Sequence, residues 1–322
     1  MIHRRFLALT LATLAVALSV APVLGAKPPA RPDEPIAVGG GPADDEPWIP
    51  PTEDQQALLD VRLAEAAQVE SSTAGDSAGS IQPLSFCATS ATADSAADSP
   101  SPGDASAITA SGCVYVPRSY ALLTYARNQN NGYYCGPATA QVIINHSRGI
   151  YSSDTNGENA ATNYRKQSYI ATRLLWYNSS AGRWENTNTI GQTNAYMLRN
   201  GLNELADLPS GFAYAVVPTG TGSEWHAKII TETYTWHMAF AASVKMTSTT
   251  RRLVSWSPIA KGTTVRHWLA IRGYNGLWDG TDAAKVLYND STAYLGGGTG
   301  SYSDSSLKFW QLNTSHTARV VW

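Results

Sequence analysis

The sequence predicts an α+β domain in which a buried helix packs on an antiparallel sheet, and three stretches predict it. "CGPATAQVIINH" (135–146) is apolar nearly all round, the pattern of a central helix rather than a surface one. "TVRHWLAIRGYNG" (264–276) alternates with a period of two, setting Val265, His267, Leu269 and Ile271 on one face and Trp268 and Ala270 on the other. "AKVLYNDS" (284–291) is a second strand-like run, joined to the first by a turn-rich connection, Tyr274 to Ala284.

Ahead of this domain the chain has a different texture. Arg4 and Arg5 precede an apolar run from Phe6 to Val20, and Val23-Leu24-Gly25-Ala26 supplies small residues before "KPPARPDEP". That order predicts a secretory signal peptide over residues 1–26; the competing reading is an uncleaved anchor, for which the run is short and broken early by Pro22. No other stretch approaches the length of a membrane span, so the mature chain is expected to be secreted, either extracellular or associated with the cell wall. Residues 27–114 carry fourteen acidic and three basic side chains, whereas 115–322 carry eleven acidic and eighteen basic. Such segregation predicts a tail, or two segments that meet.

Within 27–114, residues 53–70 read as a helix, with Thr52 and Gln55 as a capping box and Leu59, Leu63 and Ala66 as a narrow apolar face. Alone it is marginal in water, so it docks or frays. Residues 71–112 are dominated by Ser, Ala, Asp and Gly and read as a flexible linker or pro-segment. From 115 to 322 nine of the ten tryptophans and every tyrosine appear, enough chain for one sizeable core. No repeat is evident.

The chemistry centres on Cys135, at the start of the central helix. Pro137 is tolerated in a first turn, where its missing N–H has no partner to lose. A sulfur there sits at the positive end of the helix macrodipole, among free backbone N–H groups that favour negative charge and can hold an oxyanion. The bland reading of Cys135 is a small buried hydrophobe or half of a disulfide. With three cysteines, however, one is left over, and Cys87 and Cys113, in or beside the acidic segment, are free to pair with each other. A nucleophilic thiol needs a base and a group that orients the base. His146, His226, His237 and His316 read as surface or internally satisfied histidines. His267, alone among inward-facing aliphatics, calls for a partner. Counting register along a hairpin brings Asp290 opposite His267 or Trp268, within a residue or so, where a carboxylate can fix the imidazole.

With Cys135, His267 and Asp290 in that order, the chain resembles papain-like cysteine peptidases, most of all the branch of bacteriocin-processing (double-glycine) peptidases and their exported relatives. The matching residues are Gln129 to Ala138 ("Q-x5-C-G-P-A"), "QSYIATRLL" (167–175), "HWLAIRGYN" (267–275) and "VLYNDS" (286–291), and the likeness covers about residues 125–310. It implies a papain-like fold and a side-chain amide from Gln129 in the oxyanion hole. Departures are Ser291 where the family usually has proline, Asn289 beside Asp290 as a second candidate to orient His267, and a long Trp-rich insert from Gly201 to Lys261. A transporter portion is also absent from the sequence, which argues against leader cleavage during export.

The expectation is therefore an exported cysteine peptidase or amidase, with Cys135, His267, Asp290 and Gln129 as its catalytic residues. Its partner would be a peptide or protein substrate, cell-wall peptide included, and its acidic N-terminal segment an intramolecular contact. A transglutaminase-type acyltransferase would use the same groups, and a non-catalytic binding module on the same fold is the alternative from another class. No metal-ligand spacing, phosphate loop or basic run suggests a cofactor, a metal or nucleic acid.

Overall fold

The computed structural model describes residues 37–38, 49–51, 53–73, 84–87, 113–151, 166–292 and 297–322. The expected signal peptide, Thr52 and most of the expected linker lie outside the described residues. The first elements are a two-residue strand β1 (Ala37–Val38), helix α1 (Glu53–Thr73) and the hairpin of β2 (Leu84–Cys87) with β3 (Cys113–Val116). That hairpin sets Cys87 directly opposite Cys113. Next come β4 (Ser119–Ala121), α2 (Cys135–Ser147), α3 (Gln167–Arg173), the hairpin of β5 (Leu175–Asn178) with β6 (Arg183–Asn186), α4 (Thr187–Ile190), α5 (Ala195–Leu205) and β7 (Val216–Pro218). Helix α6 (Gly222–Ile230) runs on as a π-helical turn, Thr231–Thr235. Strands β8 (Phe240–Thr247), β9 (Thr264–Asn275), β10 (Lys285–Asp290) and β11 (Gly300–Ser305), helix α7 (Ser306–Thr314) and β12 (Arg319–Val321) complete the chain.

The fold is α+β with a mostly antiparallel sheet in the order β11-β10-β9-β8-β12-β7; β4 and β1 also pair with β9. Strand β9 is the spine of the sheet, and from His267 to Ile271 every residue is buried. The alternation expected along β9 is thus one of direction, not of exposure. Trp268 sends its indole N–H to the carbonyl of Thr193. Phe240 is paired with Ile271 and so points to the other side, where it packs on Trp225 of α6, itself stacked on Phe309 of α7. Helices on both faces make both sides of a strand apolar.

Two expectations need correction here. The segment from Gly201 to Lys261 is not an insert added to a finished fold: it supplies β7, α6 and β8, and β8 pairs with β9 through eight successive residues. The run "YLGGGTGSYSD" (294–304), whose glycines alone lead one to expect a mobile loop, ends in β11, an edge strand paired in full with β10.

Helix α1 packs on α6 and on the π-helical turn. Its buried face is Leu59, Arg62, Ala66 and Val69, while Leu63, expected on that face, is exposed. An arginine takes the place of the leucine because its partner is waiting: Arg62 forms a fully buried ion pair with Glu232. Its guanidinium lies over Phe212 and Trp322, 4.6 and 4.2 Å from the ring centroids, and donates to the Ala213 carbonyl at 3.2 Å. Glu65 of the same helix accepts from the Trp236 indole at 2.8 Å. Charge segregation does not explain this docking, since the buried pair joins a rare base of the acidic segment to an acid of the basic domain.

Candidate active site

Cys135 is the first residue of α2 and is completely buried, as are His267 and Asp290. Tyr134, in the capping position, offers no side-chain acceptor to the first turn, so no cap competes for the N–H groups beside the sulfur. Gly136 is required by packing: a Cβ there would lie 2.3 Å from Thr193 Oγ1, and Thr193 is held by a 2.8 Å bond to Thr187 and by the Trp268 indole. Thr193 therefore fixes the separation of α2 from β9, the two elements that carry Cys135 and His267.

Asp290 reaches His267 by way of a β-bulge. The β9–β10 register runs from Lys285 opposite Asn275 to Leu287 opposite Gly273, then shifts so that Tyr288 faces Ile271 and Asn289 faces Ala270. The extra residue, Arg272, carries Asp290 one step closer to His267, which becomes its diagonal neighbour rather than its direct partner. Gly273 is needed beside the bulge because the Tyr120 carbonyl would lie 2.1 Å from a Cβ there. The result is a 2.8 Å bond between His267 Nε2 and Asp290 Oδ1. Asn289 points elsewhere, accepting from Thr124 and donating to Ser301 Oγ at 2.9 Å, so the residue that holds the imidazole is Asp290.

The carboxylate is saturated with donors. Asp290 Oδ2 accepts from Ser255 Oγ at 2.7 Å and from Trp256 Nε1 at 2.9 Å, and Oδ1 also accepts from the backbone N–H of Thr292 at 3.0 Å. Four donors satisfy its two oxygens without exposure to water. The Trp256 ring also packs edge-on against His267, 5.3 Å between centroids. Burial alone would drive the His267 proton off; the adjacent Asp290 charge and hydrogen bond, with a smaller contribution from Cys135, outweigh it and push the pKa up to about 10. His267 Nδ1 has no hydrogen-bond partner. The ring is thus held by one nitrogen, and Cys135 lies close enough to act on the imidazole.

Gln129 sits in the loop before α2. Its backbone N–H donates to the Ser291 carbonyl at 2.7 Å, tying it to the end of β10, and its side-chain amide donates to the Asn131 carbonyl at 2.7 Å. The amide oxygen is buried with no partner. Gln167 braces this loop, donating to Asn128 O at 2.7 Å and Gln141 Oε1 at 2.9 Å while accepting from Asn130 N–H at 2.9 Å. Sequence reading did not give a role to Gln167, Thr193, Ser255 or Trp256. Only Gln167 carried a signal, as the first residue of a motif. The remaining histidines stay out of the site: His226, for one, is held between Ser306 Oγ and the Gly276 carbonyl, both at 3.0 Å, and burial pushes its pKa down to about 4.

Among the described residues no cluster of His, Cys, Asp and Glu could hold a metal ion, and no helix is long and apolar enough to cross a membrane. No family model and no curated protein matches the chain.

Proposed function

We propose that the chain is an exported cysteine peptidase or amidase of papain-like type. The observation that carries this reading is the imidazole held through Nε2 by a saturated Asp290, with Nδ1 unpartnered beside a sulfur at a helix start. Cys135 attacks the carbonyl carbon of a peptide or amide; the bond to the leaving nitrogen breaks as Nδ1–H of the imidazolium delivers its proton there. The thioester left on Cys135 is hydrolysed by water, whose proton returns to Nδ1. The Cys135 backbone N–H and the second amide hydrogen of Gln129 stabilise the oxyanion.

The test that separates catalysis from a binding module is thiol alkylation against pH. The folded pKa of His267 lies above its unfolded value near 6.5, so imidazolium is favoured in the folded state; its contribution to stability is complete below that value and is lost as pH rises through about 10. We therefore expect the alkylation rate to change at an alkaline inflection near pH 10, and this inflection to move down in Asp290→Asn. A profile without it, in a protein that cleaves no peptide, would dismiss the reading. Gln129→Ala should lower kcat by about 10²–10³ with little change in KM, the cost of one oxyanion donor.

A further inference from the structure

Helix α2 begins at Cys135, and its other end opens on a cavity of about 780 Å³. His146 and Ser147 of its last turn form one wall, roughly 18 Å from Cys135 at about 1.5 Å per helical residue. The other walls are β4 with the chain leaving it, residues 207–209, and residues 236–238 at the entry to β8. Most polar tips around the cavity are taken up in holding these walls. Tyr120 Oη and His237 Nδ1 are 2.7 Å apart, and the Trp236 indole donates to Glu65 at 2.8 Å. The His146 ring lies between the carbonyls of His237 and Leu123, at 2.9 and 3.1 Å. His237 takes a left-handed backbone, φ 53°, which side chains other than glycine rarely adopt. One bond to its ring and one to its carbonyl keep it there, so this wall has a set shape rather than that of a slack loop. What stays exposed is apolar and aromatic: Leu123 is 56% and Tyr151 41% accessible, and the Tyr151 ring stands 6.0 Å from that of His146. Large apolar groups gathered at one mouth are surface for a ligand to cover. The polar groups left for it are few, the His237 Nε2, the Tyr151 hydroxyl and the Asp207 carboxylate, all on exposed residues.

From this we infer that the cavity at the C-terminal end of α2 is a second binding site and that its ligand is a neutral saccharide, a short run of pyranose units taken free or as part of a polymer. A pyranose offers one face of weakly positive C–H groups, which suits the electron-rich face of a phenol or indole. Its hydroxyls both donate and accept, which matches a carboxylate, an imidazole and a phenol set around an open mouth. A cation would be drawn to the same rings and to Asp207, but would share the walls with two imidazoles. An anion would meet Asp207. A wholly apolar ligand would cover the three polar groups and leave them unpaired. Nothing in this pocket depends on the thiol chemistry at the other end of the helix.

The experiment is calorimetric titration of the full-length protein with cellotetraose, with chitotetraose and, as the competing chemistry, with tetramethylammonium. At least one tetrasaccharide should bind saturably, with a Kd of about 0.1–1 mM, as suits an open pocket with a few ring contacts. Tyr151→Ala and Asp207→Asn should each raise that Kd about tenfold without moving the thermal midpoint, because both side chains are exposed. Neither substitution, nor saturating sugar, should change the alkylation rate of Cys135. Retention of the protein on insoluble cellulose or chitin, released by the soluble tetrasaccharide, identifies a polymer as the source; binding of the soluble sugar alone identifies a free saccharide. Absence of saturable binding by both sugars would overturn the inference, as would binding that both variants leave intact. Sugar that slows Cys135 alkylation would place it in the thiol site and overturn it as well. Binding of tetramethylammonium in place of the sugars would make the cavity a cation cage and dismiss the saccharide.

Discussion

Cys135→Ala and His267→Ala should each remove turnover by at least about 10⁴-fold while the protein stays folded. Neither substitution deletes a large core side chain. In His267→Ala the Asp290 carboxylate keeps three of its four donors, from Ser255, Trp256 and the Thr292 backbone, so no buried charge is stranded. The double variant should lose no more than either single one, because nucleophile and base act as a unit and the second removal takes nothing further. Asp290→Asn should fall between these and wild type: the amide can still orient the ring but no longer holds the imidazolium charge. The measurement is kcat/KM on a flexible peptide, with circular dichroism to confirm folding. Full activity in Cys135→Ala would end the cysteine-nucleophile proposal.

Much of this centre was legible because local rules and tertiary demands agree there. The helix at Cys135 is announced by Pro137 in a first turn and by an unbroken apolar run, and it begins where expected. Strand β9 shows the period of two, and β10 follows after a turn of the expected length. What escaped notice is what only the folded chain brings together. Ser255 and Trp256 lie in irregular chain more than thirty residues before Asp290, and nothing local marks them as donors. The bulge at Arg272 changes register by one residue, a shift that alternation cannot reveal when both faces of β9 are buried. Neither could adjacency in sequence choose between Asn289 and Asp290. Successive residues of a strand face opposite ways, so the choice waited for the register.

The same limit governs the largest expected effect on stability. Arg62→Ala should destabilise the fold by about 3–5 kcal/mol, the usual result of removing one member of a buried ion pair. The sequence offered Leu63 for that face because periodicity counts apolar residues and cannot see a carboxylate waiting 170 residues away. Glu232 is fully buried, and one of its oxygens already lacks a partner, so Arg62 is its main compensation. Burial raises the Glu232 pKa to about 7 against the opposing pull of Arg62, with Glu65 adding to the rise. A carboxyl whose folded pKa exceeds its unfolded value of about 4.3 contributes stability below that value and loses it as pH rises through about 7. Without the guanidinium the charged form has less to hold it, so Arg62→Ala should cost less at pH 5, where Glu232 takes up a proton, than at pH 8. Arg62→Met with Glu232→Gln should recover much of the loss, because an apolar chain over Phe212 and Trp322 leaves no charge unpaired. Denaturant midpoints of the three proteins at both pH values decide it. Equal midpoints for wild type and Arg62→Ala would mean that α1 is only resting on the surface of α6.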